Sequence, residues 1–173
     1  MKRRDFETLL LTLESTPALL SRAAALLSPG HARRRPAAGG FSFVENVWHL
    51  ADLERDGFGV RIRRILAESE PALMNFDGER IARERAYQER DVDRGIVCFA
   101  RSRRQNLEAL ARLSPAEWKR AGAQEGVGRV TLDDLPRMMA DHDRAHAAEI
   151  ASLLAEIRGA IPEGLQAFTS AVA

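Results

Sequence analysis

The sequence predicts an all-α protein, a four-helix bundle with a long crossover between its second and third helices. Apolar residues recur at intervals of three and four through four long segments of the chain. Joints that contain glycine and proline separate these segments. No stretch shows the sustained alternation of β-branched residues that is typical of a strand. The long connection allows helices two and three to run parallel.

The length and composition indicate one globular domain. The chain has 173 residues, of which 45% are hydrophobic and 29% are charged. We expect a single bundle domain over residues 1–158 and a C-terminal tail over residues 159–173, where Pro162 and Gly164 interrupt any helix. No apolar run approaches the ~20 residues that span a bilayer, so no membrane association is expected.

The first helix is predicted from about Asp5 to Leu27. Its apolar stripe consists of Phe6, Leu9, Leu10, Leu13, Leu20 and Leu27. Pro17 lies inside this helix, and because proline removes an intrahelical hydrogen bond, we expect a kink or a restart there. A polar linker rich in arginine, proline and glycine follows over residues 31–40.

The second helix begins at a capping box formed by Ser42 and Glu45, in which each side chain bonds to the backbone of the other residue. It runs to about Ala67. The crossover over residues 68–90 contains proline and glycine and has room for a short helix.

Asp91 is the predicted cap of the third helix, whose apolar stripe consists of Val92, Ile96, Phe99, Leu107 and Leu110. Three glycines then predict a flexible loop over residues 122–128. Thr131 together with Asp134 caps the last helix, which runs to about Arg158.

The charges and the cysteine count exclude some functions. The 26 basic and 25 acidic residues give a net charge of +1, and acidic residues surround the arginine clusters, so no nucleic-acid partner is expected. The single Cys98 cannot form an internal disulfide, which fits a cytoplasmic protein. Polar residues interrupt the N-terminal apolar segment, so a secretory signal is not expected.

Two of the four histidines, His142 and His146, lie one turn apart on the last helix, so both rings can reach one point. They interrupt its apolar stripe, where burying an unpaired polar ring costs about 1–3 kcal/mol. A shared cation would satisfy both rings, although the spacing alone leaves open that they are ordinary core histidines. The spacing also resembles the His-Glu-x-x-His motif of zinc proteases. Asp143 replaces its glutamate and no third-ligand signature follows, so we exclude a protease.

His49 lies on the second helix, on a partly acidic stripe. Steps of about 100° place Glu45, Asp52 and Asp56 within about 60° of it and Phe58 on the opposite side. Such a helix can pack with one face and line a cavity with the other. Three imidazoles suit Zn²⁺, Ni²⁺ or Fe²⁺ and leave at least one coordination position for water or substrate.

Four further side chains are candidates for supporting roles. Asp141 and Asp52 could orient the second ring nitrogen of a ligand histidine, and Asp52 or Glu45 could accept a proton. Arg103 lies on the apolar stripe of the third helix and needs an anionic partner. It could pair with Asp52 or Asp56, or it could bind an anionic group of a substrate.

Two segments of the sequence resemble motifs of the DinB/YfiT-like superfamily. The run Arg35-Pro36-Ala37-Ala38-Gly39-Gly40-Phe41-Ser42, followed by Trp48-His49-Leu50-Ala51-Asp52-Leu53-Glu54, is similar to the entry into that family's second helix. The run Gly128-Arg129-Val130-Thr131-Leu132, followed by Ala140-Asp141-His142-Asp143-Arg144-Ala145-His146, is similar to its fourth-helix motif. The similarity extends from about Phe6 to Ile157.

The resemblance implies a four-helix bundle with a long crossover, in which His49, His142 and His146 match the family's metal triad. It also implies a dimer and, for some members, metal-dependent transfer of low-molecular-weight thiols such as bacillithiol or mycothiol, or a related isomerisation. Phe41 stands where many relatives have tryptophan. Gln124 stands where some have another histidine, so no ligand role is carried over to it.

We therefore expect a cytoplasmic enzyme that uses a divalent metal (Zn²⁺, Ni²⁺ or Fe²⁺) and acts on a small molecule, in the first place by activating a low-molecular-weight thiol for transfer. A metal-dependent hydrolase, which differs only in the nucleophile, and a non-catalytic metal-binding stress-response protein are the alternatives. A homodimer is expected from the resemblance and from an excess of apolar helical surface over the need of one four-helix core.

Overall fold

The computed structural model describes the backbone of residues 3–158 and the side chains of residues 8–157. In chain order the elements are α1 (Arg3–Ala24), α2 (Pro29–Arg33), α3 (Phe43–Asp52), a π-helical turn (Leu53–Phe58), α4 (Gly59–Ala67), β1 (Ala72–Leu73), α5 (Gly78–Glu84), a 3-10 turn (Tyr87–Glu89), α6 (Val92–Ala111), a second 3-10 turn (Glu117–Lys119), β2 (Ala121–Gln124), β3 (Gly128–Thr131) and α7 (Leu135–Arg158). The predicted tail and the side chain of Phe6 lie outside the described residues. No helix within residues 3–158 is long and apolar enough to cross a membrane.

The predicted four-helix bundle is confirmed. It consists of α1, the segment from α3 to α4, α6 and α7; α3 packs against α6 and α7, and α1 packs against the same two helices. The second and third long segments run parallel, as two hydrogen bonds between them show. Trp48 Nε1 donates to the Asp91 carbonyl, and nearer the C-terminal ends of both segments Asn106 Nδ2 donates to the Glu54 carbonyl. The crossover over residues 68–90 includes α5 and provides the length that this parallel arrangement needs.

The predicted caps start two of these helices. Ser42 Oγ accepts from the Glu45 N–H, while the Glu45 carboxylate accepts from the Ser42 N–H, so the capping box is present. The Asp91 carboxylate accepts from the Arg94 N–H at the start of α6. The first cap sets the starting position of the helix that carries His49.

The helix α1 does not restart at Pro17, as the sequence analysis allows. Proline has no N–H, so it leaves the carbonyl of Leu13, four residues earlier, without its helical partner. The Arg103 guanidinium from α6 donates to that carbonyl at 3.1 Å. A donor from another helix thus replaces the missing bond, and α1 continues to Ala24.

A π-helical turn joins α3 to α4 and changes which residues face His49. Its backbone bonds run from i to i+5, so the turn holds one extra residue. Asn106 from α6 donates to both the carbonyl and the carboxylate of Glu54 within this turn. One extra residue rotates α4 by about 100° relative to α3. Phe58, which the sequence analysis places opposite His49, therefore lies beside the ring of His142.

Two stretches that the sequence analysis treats as loops are ordered. The expected linker over residues 31–40 begins inside α2, which Ser28 caps. The expected glycine loop is a hairpin of β2 and β3, and β1 pairs parallel to β2. These strands have two to four residues, too few to show an alternating pattern. Positive φ angles at Gly126 and Gly128 allow the tight turn.

A polar layer crosses the bundle between two apolar clusters. The first cluster includes Leu20, Phe43, Val47, Phe99 and Ile150, and the second includes Leu13, Ile62, Ile65, Leu107 and Leu135. The layer consists of Thr16, His49, Glu54, Arg103, Asn106, His142, Asp143 and His146. Because all four long segments contribute to this layer, the bundle itself positions the histidines.

Candidate metal centre

The three histidines predicted as metal ligands meet in the polar layer. His142 Nε2 lies 3.2 Å from His49 Nε2 and 3.2 Å from His146 Nε2. The ligand nitrogens of all three residues lie within 4.8 Å of one another. With metal–nitrogen bonds of ~2.1 Å, a separation of 3.2 Å corresponds to a ligand–metal–ligand angle of about 100°, between octahedral and tetrahedral values. The predicted convergence of helix two with the pair on α7 is therefore present.

Burial keeps two of these rings neutral. His49 is 8% exposed and His142 is half-buried. Desolvation, followed by the charge of His146, lowers the pKa of His49 from 6.5 to about 4. Desolvation and the neighbouring imidazoles lower the pKa of His142 to about 2. Neutral imidazole is the form that binds a metal ion, so both rings are ready to act as ligands at neutral pH.

The hydrogen bond to Asn46 orients the ring of His146. Its Nδ1 lies 2.6 Å from the Asn46 side-chain oxygen, and the Asn46 amide group donates to the carbonyls of Phe41 and Ser42. An acceptor at Nδ1 requires the hydrogen there, which leaves the Nε2 lone pair for a metal. The Glu149 carboxylate faces the same Nδ1 at 3.2 Å.

Aromatic side chains and a glycine surround His49. The rings of Phe41 and Phe76 lie 5.4 and 5.7 Å from its ring centroid. A Cβ added at Gly78 would lie 2.5 Å from His49 Cε1, so only glycine fits there without displacing the ring. His49 Nδ1 is buried and has no hydrogen-bond partner within the part of the chain that the structure describes.

The two aspartates predicted to orient a histidine are engaged elsewhere. Asp141 pairs with Arg144 on the same helix. Asp52 accepts from the Tyr87 hydroxyl at 2.6 Å and pairs with Arg55 and Arg85. The predicted orienting role of both aspartates is wrong, because Arg144 binds Asp141 and because Tyr87 and Arg85 of the crossover, together with the neighbouring Arg55, bind Asp52. Both residues that contact His146 carry a weak sequence signal. Asn46 lies three residues before His49, on the face of α3 that meets α7, and Glu149 lies three residues after His146 on its own helix.

The two residues predicted to accept a proton are also engaged. The Glu45 carboxylate accepts from Arg35, Ser42 and Gln88. Burial opposes its ionisation, but the bonds from Arg35 and Ser42 outweigh burial and hold the pKa of Glu45 below its ordinary value. The Asp52 carboxylate holds the contacts described above. Proton transfer by either residue stays a prediction.

Arg103 has different partners from those predicted. It pairs with Glu54 at 2.9 Å and with Asp143 at 2.7 Å, not with Asp52 or Asp56. The π-helical turn explains the difference, because it shifts the helical register after Asp52 and turns Glu54 toward α6. Both carboxylates and the guanidinium are buried. Arg103 is thus already neutralised, and its predicted contact with a substrate anion stays a prediction.

Gln124, where some relatives carry a histidine, lies in β2. Its side chain is buried, and Oε1 has no hydrogen-bond partner among the described residues.

The fold and the histidine site define a member of a known class. A family model described as the DinB superfamily matches residues 12–150, and the chain belongs to that family. Among solved structures, YfiT from Bacillus subtilis matches with a TM-score of 0.83 over 92% of this chain and 91% of its own. It is described as a probable metal-dependent hydrolase with an unusual four-helix bundle topology. The sequence identity is 20%, so the likeness shows the shared fold. Comparison with curated proteins gives no significant match.

Proposed function

We propose that this protein is a divalent-metal-dependent enzyme whose metal is held by His49, His142 and His146. The observation that carries the proposal is the approach of three Nε2 atoms, two of them on deeply buried rings, from α3 and α7. Three neutral nitrogen ligands leave at least one coordination position, which is the pattern of catalytic rather than structural sites. The metal is a borderline divalent ion such as Zn²⁺, Ni²⁺ or Fe²⁺.

The chain's own residues suit a nucleophile-activating centre. A bound divalent ion would supply a Lewis acid that lowers the pKa of a coordinated thiol or water. Asn46 and Glu149 hold the His146 ring in its ligating orientation. Phe41 and Phe76 shield the His49 side of the site, which lowers the local dielectric constant and strengthens electrostatic interactions there.

The reaction that we propose first is transfer of a low-molecular-weight thiol to a small electrophile, which the family resemblance supports. The second candidate is hydrolysis, which the description of YfiT supports. The two reactions use the same ligands and differ in the nucleophile. Asp52 or Glu45 remains the predicted proton acceptor in either reaction, and the contacts that both carboxylates already make oppose that role.

A thiol titration of the Co²⁺-loaded protein separates these possibilities. The enzyme proposal predicts that an added thiol changes the Co²⁺ absorption bands and that a thiol-transfer assay with several thiols detects product. Hydrolysis predicts turnover of an ester or amide panel and no product in the thiol-transfer assay. A Co²⁺ spectrum that responds to no added ligand, together with an unfolded metal-free protein, would indicate a structural metal and contradict the enzyme proposal.

We also propose that the protein acts as a homodimer in the cytoplasm on a small-molecule substrate. The dimer proposal rests on the resemblance and on exposed apolar side chains of the long helices, Leu11 on α1 and Val97 on α6. Light scattering at micromolar concentration tests it. A mass near 19.2 kDa at every concentration would contradict a dimer.

A further inference from the structure

Arg61 on α4 is a buried cation without a counter-ion among residues 8–157, whose side chains the structure describes. The residue is 5% exposed, and its Nε has no hydrogen-bond partner in that range. Within the described residues, no carboxylate lies in ion-pair range of its guanidinium. Burial lowers its pKa, yet a guanidinium stays protonated in proteins. The charge is therefore present, and no described carboxylate neutralises it.

Two other arginines with little exposure to solvent have carboxylate partners. Arg103, which is also fully buried, pairs with two carboxylates. The half-buried Arg85 pairs with two aspartates, Asp52 and Asp56. The contact that the described residues offer to the Arg61 guanidinium is the face of the Phe58 ring, with Cζ 5.4 Å from the ring centroid. A cation–π contact offsets much less than the cost of burying an unpaired charge.

The same phenylalanine connects Arg61 to the metal centre. The Phe58 ring contacts the His142 ring edge to face, with 6.3 Å between centroids. In an uninterrupted α-helix Arg61 would lie about 120° around from His49, whereas the extra residue of the π-helical turn reduces this to about 20°. The turn thus brings Arg61 onto the face of the helix that carries His49.

The charge balance of the site calls for an anion. Three neutral imidazoles leave the charge of a divalent ion uncompensated, and Arg61 adds a further positive charge beside the ring of Phe58. Among the described residues, Glu149 is the carboxylate paired with a ligand histidine, and it faces His146 and not His142.

We propose that Arg61 binds an anionic group, a carboxylate or a phosphate, of the small molecule that occupies the metal centre. The planar guanidinium matches both groups with paired hydrogen bonds. This inference rests on the proposed function for the identity of the site, and it names the class of substrate: an anion whose reacting end lies at the histidines. Arg61 takes the role that the sequence analysis considered for Arg103, whose charge is already neutralised.

The test is calorimetric binding of inorganic phosphate and, in a separate arm, of succinate, at constant ionic strength. Each is titrated into the metal-loaded and the metal-free full-length protein, and into Arg61→Met and Arg63→Met. Arg63 is the matched control, because it lies on the same helix and is exposed. We expect one of the two anions to bind the wild type and the control, and Arg61→Met to bind it about tenfold more weakly or worse, as removal of a charge-assisted hydrogen bond predicts.

A thermal melt keeps the proposal falsifiable if an anion binds weakly. Without an anion, Arg61→Met should melt at or above the wild-type temperature, since an unpaired buried charge is removed. The anion should then raise the melting temperature of the wild type but not of Arg61→Met. Arg61→Lys keeps the charge but loses the planar pair of donors, so it should bind the anion more tightly than Arg61→Met and more weakly than the wild type.

Three results would overturn the inference: no binding of either anion, equal binding by wild type and Arg61→Met, or equal loss in both methionine variants. A melting temperature that falls sharply in Arg61→Met would do the same, because it would show that Arg61 has a structural partner. The metal content of Arg61→Met is measured in parallel. Normal metal content without anion binding rejects only the role of Arg61, whereas absent metal in the wild type rejects the proposed function.

Discussion

Replacing Arg103 by methionine tests the buried ion triad that ties α6 to α7 and to the π-helical turn. The guanidinium pairs with Glu54 at 2.9 Å and with Asp143 at 2.7 Å, and it also donates to the Leu13 carbonyl. Arg103→Met leaves two carboxylates, 1% and 3% exposed, close together without a cation. Breaking a buried pair in this way costs about 3–5 kcal/mol. A typical domain has about 5–15 kcal/mol in total, so the variant should be marginally stable.

Urea unfolding followed by circular dichroism measures this loss. Arg104→Met is the matched control, because Arg104 is the exposed neighbour and its contact with Glu108 is 3.9 Å. We expect the control to change the free energy of unfolding by less than about 0.5 kcal/mol. Lowering the pH should restore part of the stability of Arg103→Met, because protonation removes the repulsion between the carboxylates. A loss below about 1 kcal/mol at pH 7 would refute the triad's structural role. If activity then fell without a loss of stability, Arg103 would be the substrate contact that the sequence analysis considered.

Three further predictions concern the histidines. Asn46→Ala should weaken metal binding about tenfold, because His146 loses the acceptor that sets its tautomer. The Glu149 carboxylate still faces the same nitrogen, so binding should not be abolished. Competition with a chromophoric chelator measures the affinity. Gly78→Ala would bring a Cβ to 2.5 Å from His49 Cε1, so the ring must shift and metal affinity should fall by a similar factor. Burial and neighbouring imidazoles lower the pKa of His49 to about 4 and of His142 to about 2. The metal-free protein should therefore keep its full stability above pH 6.5. It should lose about 1.4 kcal/mol per pH unit for each ring as the pH falls from 6.5 toward 4, measured by urea unfolding at stepped pH.

Controls separate these effects from general damage. Asn46→Asp keeps an acceptor oxygen and should retain most of the metal affinity. Gly30→Ala meets open space and should bind metal like the wild type. Unchanged metal affinity in Asn46→Ala or Gly78→Ala would contradict the positioning roles. If the free energy of unfolding of the metal-free protein does not change from pH 6.5 to 4.5, the neutral state of His49 and His142 is contradicted.

Much of the fold could be predicted because its signals are local. The capping box at Ser42 and Glu45 and the cap at Asp91 need only short-range contacts, and the structure contains both. The i, i+4 spacing of His142 and His146 fixes their shared face in any α-helix. A four-helix bundle then brings the helix of His49 next to that face.

The rest depends on contacts between segments that are distant in sequence. The π-helical turn is held by Asn106 from α6, so helical steps of 100° along the local sequence misplace Phe58. The unbroken helix at Pro17 depends on a donor ninety residues beyond Leu13. Tyr87 and Arg85, which bind Asp52, lie more than thirty residues beyond it in the crossover. Local periodicity carries no information about such partners.

Equilibrium titration of Co²⁺ into metal-free, tag-free protein tests the central claim most directly. The account predicts about one ion per chain, with absorption bands typical of nitrogen coordination in the wild type and in His31→Ala, whose histidine is exposed on α2. It predicts that His49→Ala, His142→Ala and His146→Ala each lose these bands while circular dichroism still shows a helical protein. Wild-type protein that binds no ion, or a His142→Ala variant that binds Co²⁺ as the wild type does, would contradict the claim that these three histidines form a metal centre.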